Sequence, residues 1–262
     1  MIGIFDSGSG GLTFLAAMKY RYPEWSYLYY ADYEHCPFGE RSPEEIQELT
    51  IAGVQKLFDA GATIVILACN TASAWTLRKL QTEVFPDKKI LWVTIPGAEK
   101  AIELGFKNIS VFATQQTVKS RAYAQRARIL DAEIAVQEIA FSGDLVRDIE
   151  SLLPVHHCHS EDDFSELMKL YGSDGWNCVD ERWQQLTDTY FRTIRPIIDQ
   201  QSQAIILGCT HYSYLRKPLQ LLFPEMTLID PSEESALRLA DYFWRKPHIL
   251  SQIQKTGEIK FL

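Results

Sequence analysis

Two cysteines offer the chemistry of this sequence. Each closes an apolar run and is followed by small hydrogen-bonding residues: Ile64-Val65-Ile66-Leu67-Ala68-Cys69-Asn70-Thr71 and Ala204-Ile205-Ile206-Leu207-Gly208-Cys209-Thr210-His211. A thiol where a strand ends and a helix begins lies near the positive end of the helix dipole, which lowers its pKa from roughly 8.5 and favours the thiolate. The unpaired N–H groups of the same helix start seat a carboxylate. One strand-to-helix turn thus supplies both a base and an anion seat. A single cysteine at a strand end is more often a packed core residue. Two in matched positions of a repeat can face each other across a shared cleft, the arrangement wanted for inversion at a carbon acid, where one group removes a proton from one face and the other returns a proton to the opposite face.

Other reactive types have plainer readings beside the functional ones. Cys36, Cys158 and Cys178 complete an odd, irregularly spaced set of five cysteines in a chain too long to need disulfide staples, so reduced thiols are expected. The run His156-His157-Cys158-His159, with Cys178, reads either as a metal site or as a polar surface loop; consecutive residues point in different directions, which favours the loop. Cys36 beside His35 suggests a catalytic dyad only if tertiary structure brings the pair together. Asp6 has an alternative as a helix N-cap before Gly10-Gly11, and His211 as a capping or packing residue.

The elements that must position these groups alternate along the chain. Short β-rich runs at residues 2–6, 26–31, 63–68, 89–93, 108–112, 133–139, 203–207 and 227–229 are separated by amphipathic helical stretches. The expected fold class is α/β, with two pseudo-symmetric domains, each a mostly parallel sheet flanked by helices, and an active site in the cleft between them. Ligands of such sheets collect beyond the carboxyl ends of the strands, where the small polar residues fall here. The repeat extends beyond the cysteines. Ile2-Gly3-Ile4-Phe5-Asp6-Ser7 matches Ile109-Ser110-Val111-Phe112-Ala113-Thr114, Phe85-Pro86 matches Phe223-Pro224, and Ile95-Pro96-Gly97 matches Asp230-Pro231-Ser232. Phe5 to Cys69 is 64 positions and Phe112 to Cys209 is 97, so the second copy carries about 33 extra residues, placed at Pro154 to about Glu181 around the turn cluster Gly172-Ser173-Asp174-Gly175. One domain is expected to take residues 1–96 plus about 210–262, and the other about 97–209 with the insertion near 154–181.

Composition narrows the partners. With 46% hydrophobic and 23% charged residues in 262, the chain buries a substantial core, and no apolar run approaches the roughly 20 residues that cross a bilayer. A net charge of −8 spread along the chain argues against a nucleic-acid partner and for a small molecule. The start of the sequence carries no basic or apolar leader, so a cytoplasmic protein is expected.

Four motifs, in order and over nearly the whole chain, carry a specific resemblance. They are the run from Ile2 to Leu12, Ala31-Asp32 with Pro37-Phe38-Gly39-Glu40, Cys69-Asn70-Thr71-Ala72-Ser73-Ala74, and Gly208-Cys209-Thr210-His211-Tyr212. Together they resemble bacterial glutamate racemase, of the cofactor-independent aspartate/glutamate racemase superfamily. The glycine-rich run alone would be weak and could pass for a dinucleotide fingerprint.

The resemblance implies that Cys69 takes the α-proton of the D-isomer and Cys209 that of the L-isomer, without pyridoxal phosphate or metal. It implies that Asp6 assists at the Cys69 side and His211 with Glu150 at the Cys209 side. Ser7, Asn70, Thr71, Thr114, Thr117 and Thr210, with Asp6, His211 and the backbone of Phe38-Gly39, would hold the substrate. It further implies a homodimer, a role in supplying D-glutamate for peptidoglycan, and in some members an activator from the cell-wall pathway. Three positions depart from the family pattern: Phe38 stands where tyrosine is usual, Ser142-Gly143 replaces a Cys-Pro pair, and Ser213 stands where proline is common. A racemase for aspartate or another amino acid on the same scaffold, and a non-catalytic amino-acid-binding regulator, are the alternatives.

Overall fold

The computed structural model describes residues 1–173, 175–198 and 200–262. Its strands are β1 (Ile2–Asp6), β2 (Tyr27–Ala31), β3 (Ile64–Leu67), β4 (Lys89–Trp92), β5 (Asn108–Thr114), β6 (Ala135–Phe141), β7 (Tyr171–Gly172), β8 (Gly175–Trp176), β9 (Ala204–Gly208), β10 (Thr227–Ile229) and β11 (Ile259–Phe261). β1, β3 and β9 are buried at every residue, as expected of apolar runs in parallel sheets covered on both faces.

The sheets repeat one another. In the first, the order is β11-β2-β1-β3-β4; in the second, β10-β9-β5-β6, all pairs parallel. β1 and β5 each lie between the strand that follows them and the strand that ends in cysteine. Even the register agrees: Phe5 is paired with Leu67 and Phe112 with Leu207. Cys69 and Cys209, each two residues further on, therefore emerge at equivalent points beyond the carboxyl edges of their sheets.

The expected strands are present with ends shifted by a residue or two. β5 and β6 run on to Thr114 and Phe141. The hairpin β7–β8 and the edge strand β11 were not foreseen, since two or three residues carry too little alternation to read. In the expected turn cluster, Asp174 lies outside the described residues, while Gly172 and Gly175 pair across the hairpin. In the C-terminal part, β10 joins the second sheet and β11 returns to the first.

Local signals fix the helices. Helix Pro43–Asp59 starts with a capping box, in which Glu45 donates its N–H to Ser42 Oγ (3.2 Å) and Ser42 donates its N–H to Glu45 Oε2 (2.9 Å), with proline in the first turn. Helix Pro231–Trp244 uses Asp230 as its cap. Helix Gly11–Arg21 is buried from Gly11 to Met18 because it lies against both halves: Thr13 Oγ1 is 3.3 Å from Ser232 Oγ, and Tyr22 OH donates to Ala236 O (3.1 Å). The largest hydrophobic cluster runs across both sheets, from Ile4 and Phe14 to Phe112, Leu207 and Tyr212.

The insertion forms helix Glu161–Met168, the β7–β8 hairpin and the start of helix Glu181–Phe191. It straps the second half onto the first. Ser9 Oγ donates to His156 O (3.1 Å), Cys158 N donates to Tyr33 OH (3.1 Å), and Ile259 N donates to Glu161 Oε1 (2.7 Å). Among the described residues no helix is long and apolar enough to cross a membrane.

Candidate active site

Both sulfurs line one cavity between the carboxyl edges of the sheets, together with Ser7, Asn70, Thr210 and His211. Phe38, Gly39, Thr71 and Thr114 line it too, as does Val146, which the sequence did not single out. Asp6, Thr117 and Glu150 stand just behind this lining, each bonded to a residue within it. The cavity measures about 10 Å3, close to the least that one water needs, so an amino acid enters only when the halves part or a loop swings away. A larger cavity of about 240 Å3, lined by Trp92, Pro96 and Arg238 among others, contains none of the candidate residues.

The matched cysteines have different surroundings. Cys69 is the N-cap of helix Asn70–Lys79: its sulfur accepts from Ala72 N (3.4 Å) and lies 3.5 Å from Ser7 Oγ. The dipole was expected to lower its pKa, yet the thiol is pushed up to about 12. Burial is the largest cause and the nearby Asp6 carboxylate adds to it, outweighing the bonds from Ser7 and Ala72. Cys209 is followed by a short 3-10 segment, Thr210–Leu215, and makes no capping bond. Its sulfur instead faces His211 Nδ1 at 3.9 Å.

On the Cys209 side a chain of polar groups leads inward. His211 Nε2 is 2.9 Å from Glu150 Oε1, and the same oxygen accepts from Ser9 N (2.9 Å). Burial opposes the charge on His211, but Cys209 and Glu150 outweigh it and raise the imidazole to about 10. Doubly protonated, the ring donates to Glu150 through Nε2–H and to the Cys209 sulfur through Nδ1–H. Burial would raise Glu150, but the His211 bond and charge and the Ser9 N–H hold it below the usual carboxylate range. Asp6, fully enclosed, is raised to about 6 by burial, against the charge of His211 and bonds from Gly8, Thr210 and Ser7. It does not cap the following helix, whose N-cap is Gly10 without a side-chain bond. A Cβ on Gly10 would stand 2.5 Å from His211 Nδ1, so only glycine lets this turn approach the imidazole.

Across the cleft, three hydroxyls form a closed set: Thr71 to Thr114 (2.9 Å), Thr71 to Thr117 (3.1 Å) and Thr114 to Thr117 (3.0 Å). Gly39 sits so close that a Cβ there would lie 2.7 Å from Thr114 Cβ. Phe38 is buried and packs toward Phe5, with ring centroids 6.3 Å apart. Hydroxyls and backbone amides on one wall suit a carboxylate, and thiols on the others suit proton exchange.

Sequence reasoning missed two supports. Tyr123 OH donates to Asn70 Oδ1 (2.7 Å) from the opposite half and orients that amide. Glu40, next to Gly39, accepts from Gly143 N (3.1 Å) and pairs with Arg147, tying the Phe38-Gly39 loop to the second half. No local signal marks Tyr123; for Glu40 the hint is Gly143, which offers the N–H that the proline expected there from the resemblance would lack.

The weaker candidates resolve as well. His35 pairs with Asp32 (2.8 Å) rather than with Cys36. Tyr33 stacks on His157 (4.5 Å) and meets His159 edge-on, while the Cys158 thiol donates to Ser160 O (3.7 Å). Among the described residues the one cluster of three or more ligand-type side chains is a different one: Cys36, Glu150 and His211, with donor atoms within 4.8 Å of one another.

The family model for Asp/Glu/hydantoin racemase matches residues 14–238. A glutamate racemase of Ruegeria pomeroyi is 34% identical over 95% of this chain and 87% of its own length. The crystal structure of a Bacillus anthracis glutamate racemase isoform superposes with a TM-score of 0.77 at 28% identity, covering 100% of this chain and 86% of that one. A Francisella tularensis glutamate racemase, solved in complex with D-glutamate, gives a TM-score of 0.76 at 25% identity over 99% of this chain and 86% of that one.

Proposed function

We infer the reaction from one premise, that this chain belongs to the Asp/Glu/hydantoin racemase family: it interconverts L-glutamate and D-glutamate by moving the α-proton between two cysteines. The observation that carries this reading is the pair of sulfurs, at matched points of two repeated sheets, lining one cavity.

Cys209 removes the α-proton of the L-isomer while Cys69 donates to the other face, and the reverse direction exchanges their parts. Removing the proton builds negative charge onto a carboxylate that is already anionic, so donors placed beforehand lower the barrier. Asn70 and Thr210, with Ser7, hold the amino and α-carboxylate groups, and the hydroxyls of Thr71, Thr114 and Thr117 with the Phe38-Gly39 backbone receive the side-chain carboxylate. Arrival of the substrate ammonium beside Cys69 and Asp6 offsets the burial that raises both groups, bringing the thiol toward the thiolate. On the other side, His211, held by Glu150, donates to the Cys209 thiolate and steadies it. As proposed, the chemistry runs on side chains, without pyridoxal phosphate or metal.

The same reading takes the protein as a cytoplasmic homodimer of two-domain subunits that supplies D-glutamate for peptidoglycan, open to an activator of the kind of UDP-MurNAc-ala, which an Escherichia coli glutamate racemase binds. Glutamate is preferred over aspartate because the curated relatives at 31–34% identity are glutamate racemases. The test is racemisation of L-glutamate by the purified chain in D2O, without added cofactor. D-Glutamate carrying deuterium at the α-carbon is expected, and Cys69→Ser and Cys209→Ser should each slow its formation roughly 10²- to 10⁴-fold. Wild-type rates in either serine variant would refute the two-thiol reaction. Turnover of aspartate alone would move the substrate, and binding without turnover would make the protein a regulator.

A further inference from the structure

Cys36 has no part in the proposed reaction, yet its sulfur reaches the groups that have. It lies in the loop after β2, and its thiol donates to Glu150 Oε1 at 3.9 Å. That oxygen is 2.9 Å from His211 Nε2, and all three donor atoms fall within 4.8 Å of one another. They come from three distant parts of the chain: the loop after β2, helix Gly143–Leu152, and the segment after β9. The geometry points to a site for a thiophilic divalent cation, best fitted to Zn2+, formed by Cys36, Glu150 and His211, whose occupation stops the reaction by taking His211 away from Glu150.

Donor chemistry selects the ion. Thiolate, imidazole and carboxylate together are a zinc set, whereas Ca2+ and Mg2+ want oxygen alone. In a tetrahedral site with bonds of roughly 2.0–2.3 Å, ligand atoms stand about 3.5 Å apart. Oxygen and nitrogen here are closer than that and sulfur is further, so the site assembles through side-chain shifts of about 1 Å or less. Two features act as a built outer shell. Ser9 N–H fixes the Glu150 carboxylate, and the Cys209 sulfur beside Nδ1 sets the orientation of the imidazole ring. The half-buried carboxylate of Glu150 and the buried one of Asp6 favour a cation. No oxidation is involved: Zn2+ enters, and the Cys36 thiol proton and the proton on His211 Nε2 leave to solvent.

The inhibitory consequence rests on the proposed racemisation; the binding site does not. Reduced, metal-free full-length protein is titrated with Co2+, reading the thiolate-to-cobalt charge-transfer absorption, and then with Zn2+ in competition. Wild type, Cys36→Ala and Cys36→Ser are compared, the serine variant preserving side-chain size should the alanine variant fold poorly. One ion per chain is expected in the wild type, and affinity weaker by at least roughly tenfold, with the thiolate band lost, in both variants. An unchanged band and affinity in both would place the metal on another thiol and overturn the site, as would failure of the wild type to bind. Racemisation with and without Zn2+ is then measured for each protein relative to its own metal-free rate. Inhibition reversed by EDTA in the wild type, and shifted to at least tenfold higher Zn2+ in Cys36→Ser, is expected. Cys36-dependent binding without inhibition would overturn the inhibitory role. Because the cobalt spectrum needs no turnover, a failed racemase assay would count against the reaction and not against the site.

Discussion

Glu150→Gln separates the two sides of the cleft. Glutamine keeps the shape and a hydrogen-bond acceptor for His211 Nε2 and Ser9 N, but removes the negative charge that sits 2.9 Å from the imidazole. A hydrogen bond to a charged group contributes about 1.5–3 kcal/mol, against about 0.5–1.5 for a neutral one, so neutralising the His211 partner costs roughly 1–1.5 kcal/mol in the step served by that histidine. The carboxylate is only 18% exposed, so solvent screening leaves most of this. At about 1.4 kcal/mol per decade, the Cys209 step slows roughly 5- to 12-fold. Racemisation alone cannot reveal which step suffers. The equilibrium constant between enantiomers is one, so kcat/KM must fall equally in both directions. Elimination from glutamate bearing a β-chloro group is irreversible and escapes this constraint. With the L-configured substrate, which meets Cys209, elimination is expected to slow by the full factor; with the D-configured substrate, which meets Cys69, by less than about threefold. Primary deuterium isotope effects should correspondingly rise for L-[2-2H]glutamate and fall for the D-isomer. Equal losses in the two eliminations, or a larger loss with the D-substrate, would refute the assignment of Glu150 and His211 to Cys209.

Two further outcomes follow from the same geometry. Tyr123→Phe removes the 2.7 Å bond to Asn70 Oδ1 and leaves a buried acceptor unpaired, which costs about 1–3 kcal/mol; a raised KM for glutamate with a lowered melting temperature is expected, and unchanged KM would remove Tyr123 from the binding site. Asp6→Asn addresses pH: because the folded pKa of about 6 exceeds the ordinary 3.8, the enclosed carboxylate favours the fold below about pH 3.8 and loses that contribution as pH rises through 6. The variant should thus melt higher than wild type at pH 8, by at most about 3 kcal/mol at 1.4 kcal/mol per decade, and show no such gain at pH 3.5, while racemising poorly; circular-dichroism melts at the two pH values decide it.

What could be read from the sequence was whatever the chain writes locally. Runs such as Ile64–Leu67 are apolar at every position, and the repeat around Cys69 and Cys209 by itself implies equivalent places for the two thiols. Thr114 and Thr117, three residues apart at a helix start, share a face for the reason any capping pair does. Partnership across distance was not legible. Nothing around Tyr123 announces Asn70, and nothing around Cys36 announces Glu150, because sheet packing joins them from 53 and 114 positions away. The direction of the Cys69 shift misled for a related reason: the helix start is visible in sequence, whereas the depth of burial that overrides it belongs to the assembled halves. The sheet that β10 joins was likewise not legible, because pairing, rather than order along the chain, decides where an edge strand goes.

The two sulfurs stand at matched points of a duplicated framework, yet one is a helix cap beside a serine and the other faces a histidine. Any operation that lays one half of a protein on the other is a rotation, and rotations preserve chirality, whereas enantiomers are exchanged only by reflection. Duplication therefore cannot by itself yield a pocket that treats both optical isomers alike. Equal kcat/KM for the two isomers is imposed by their equilibrium constant of one; what dissimilar neighbours set is how kcat and KM divide between them, and selection acting on that division has reason to drive the two copies apart.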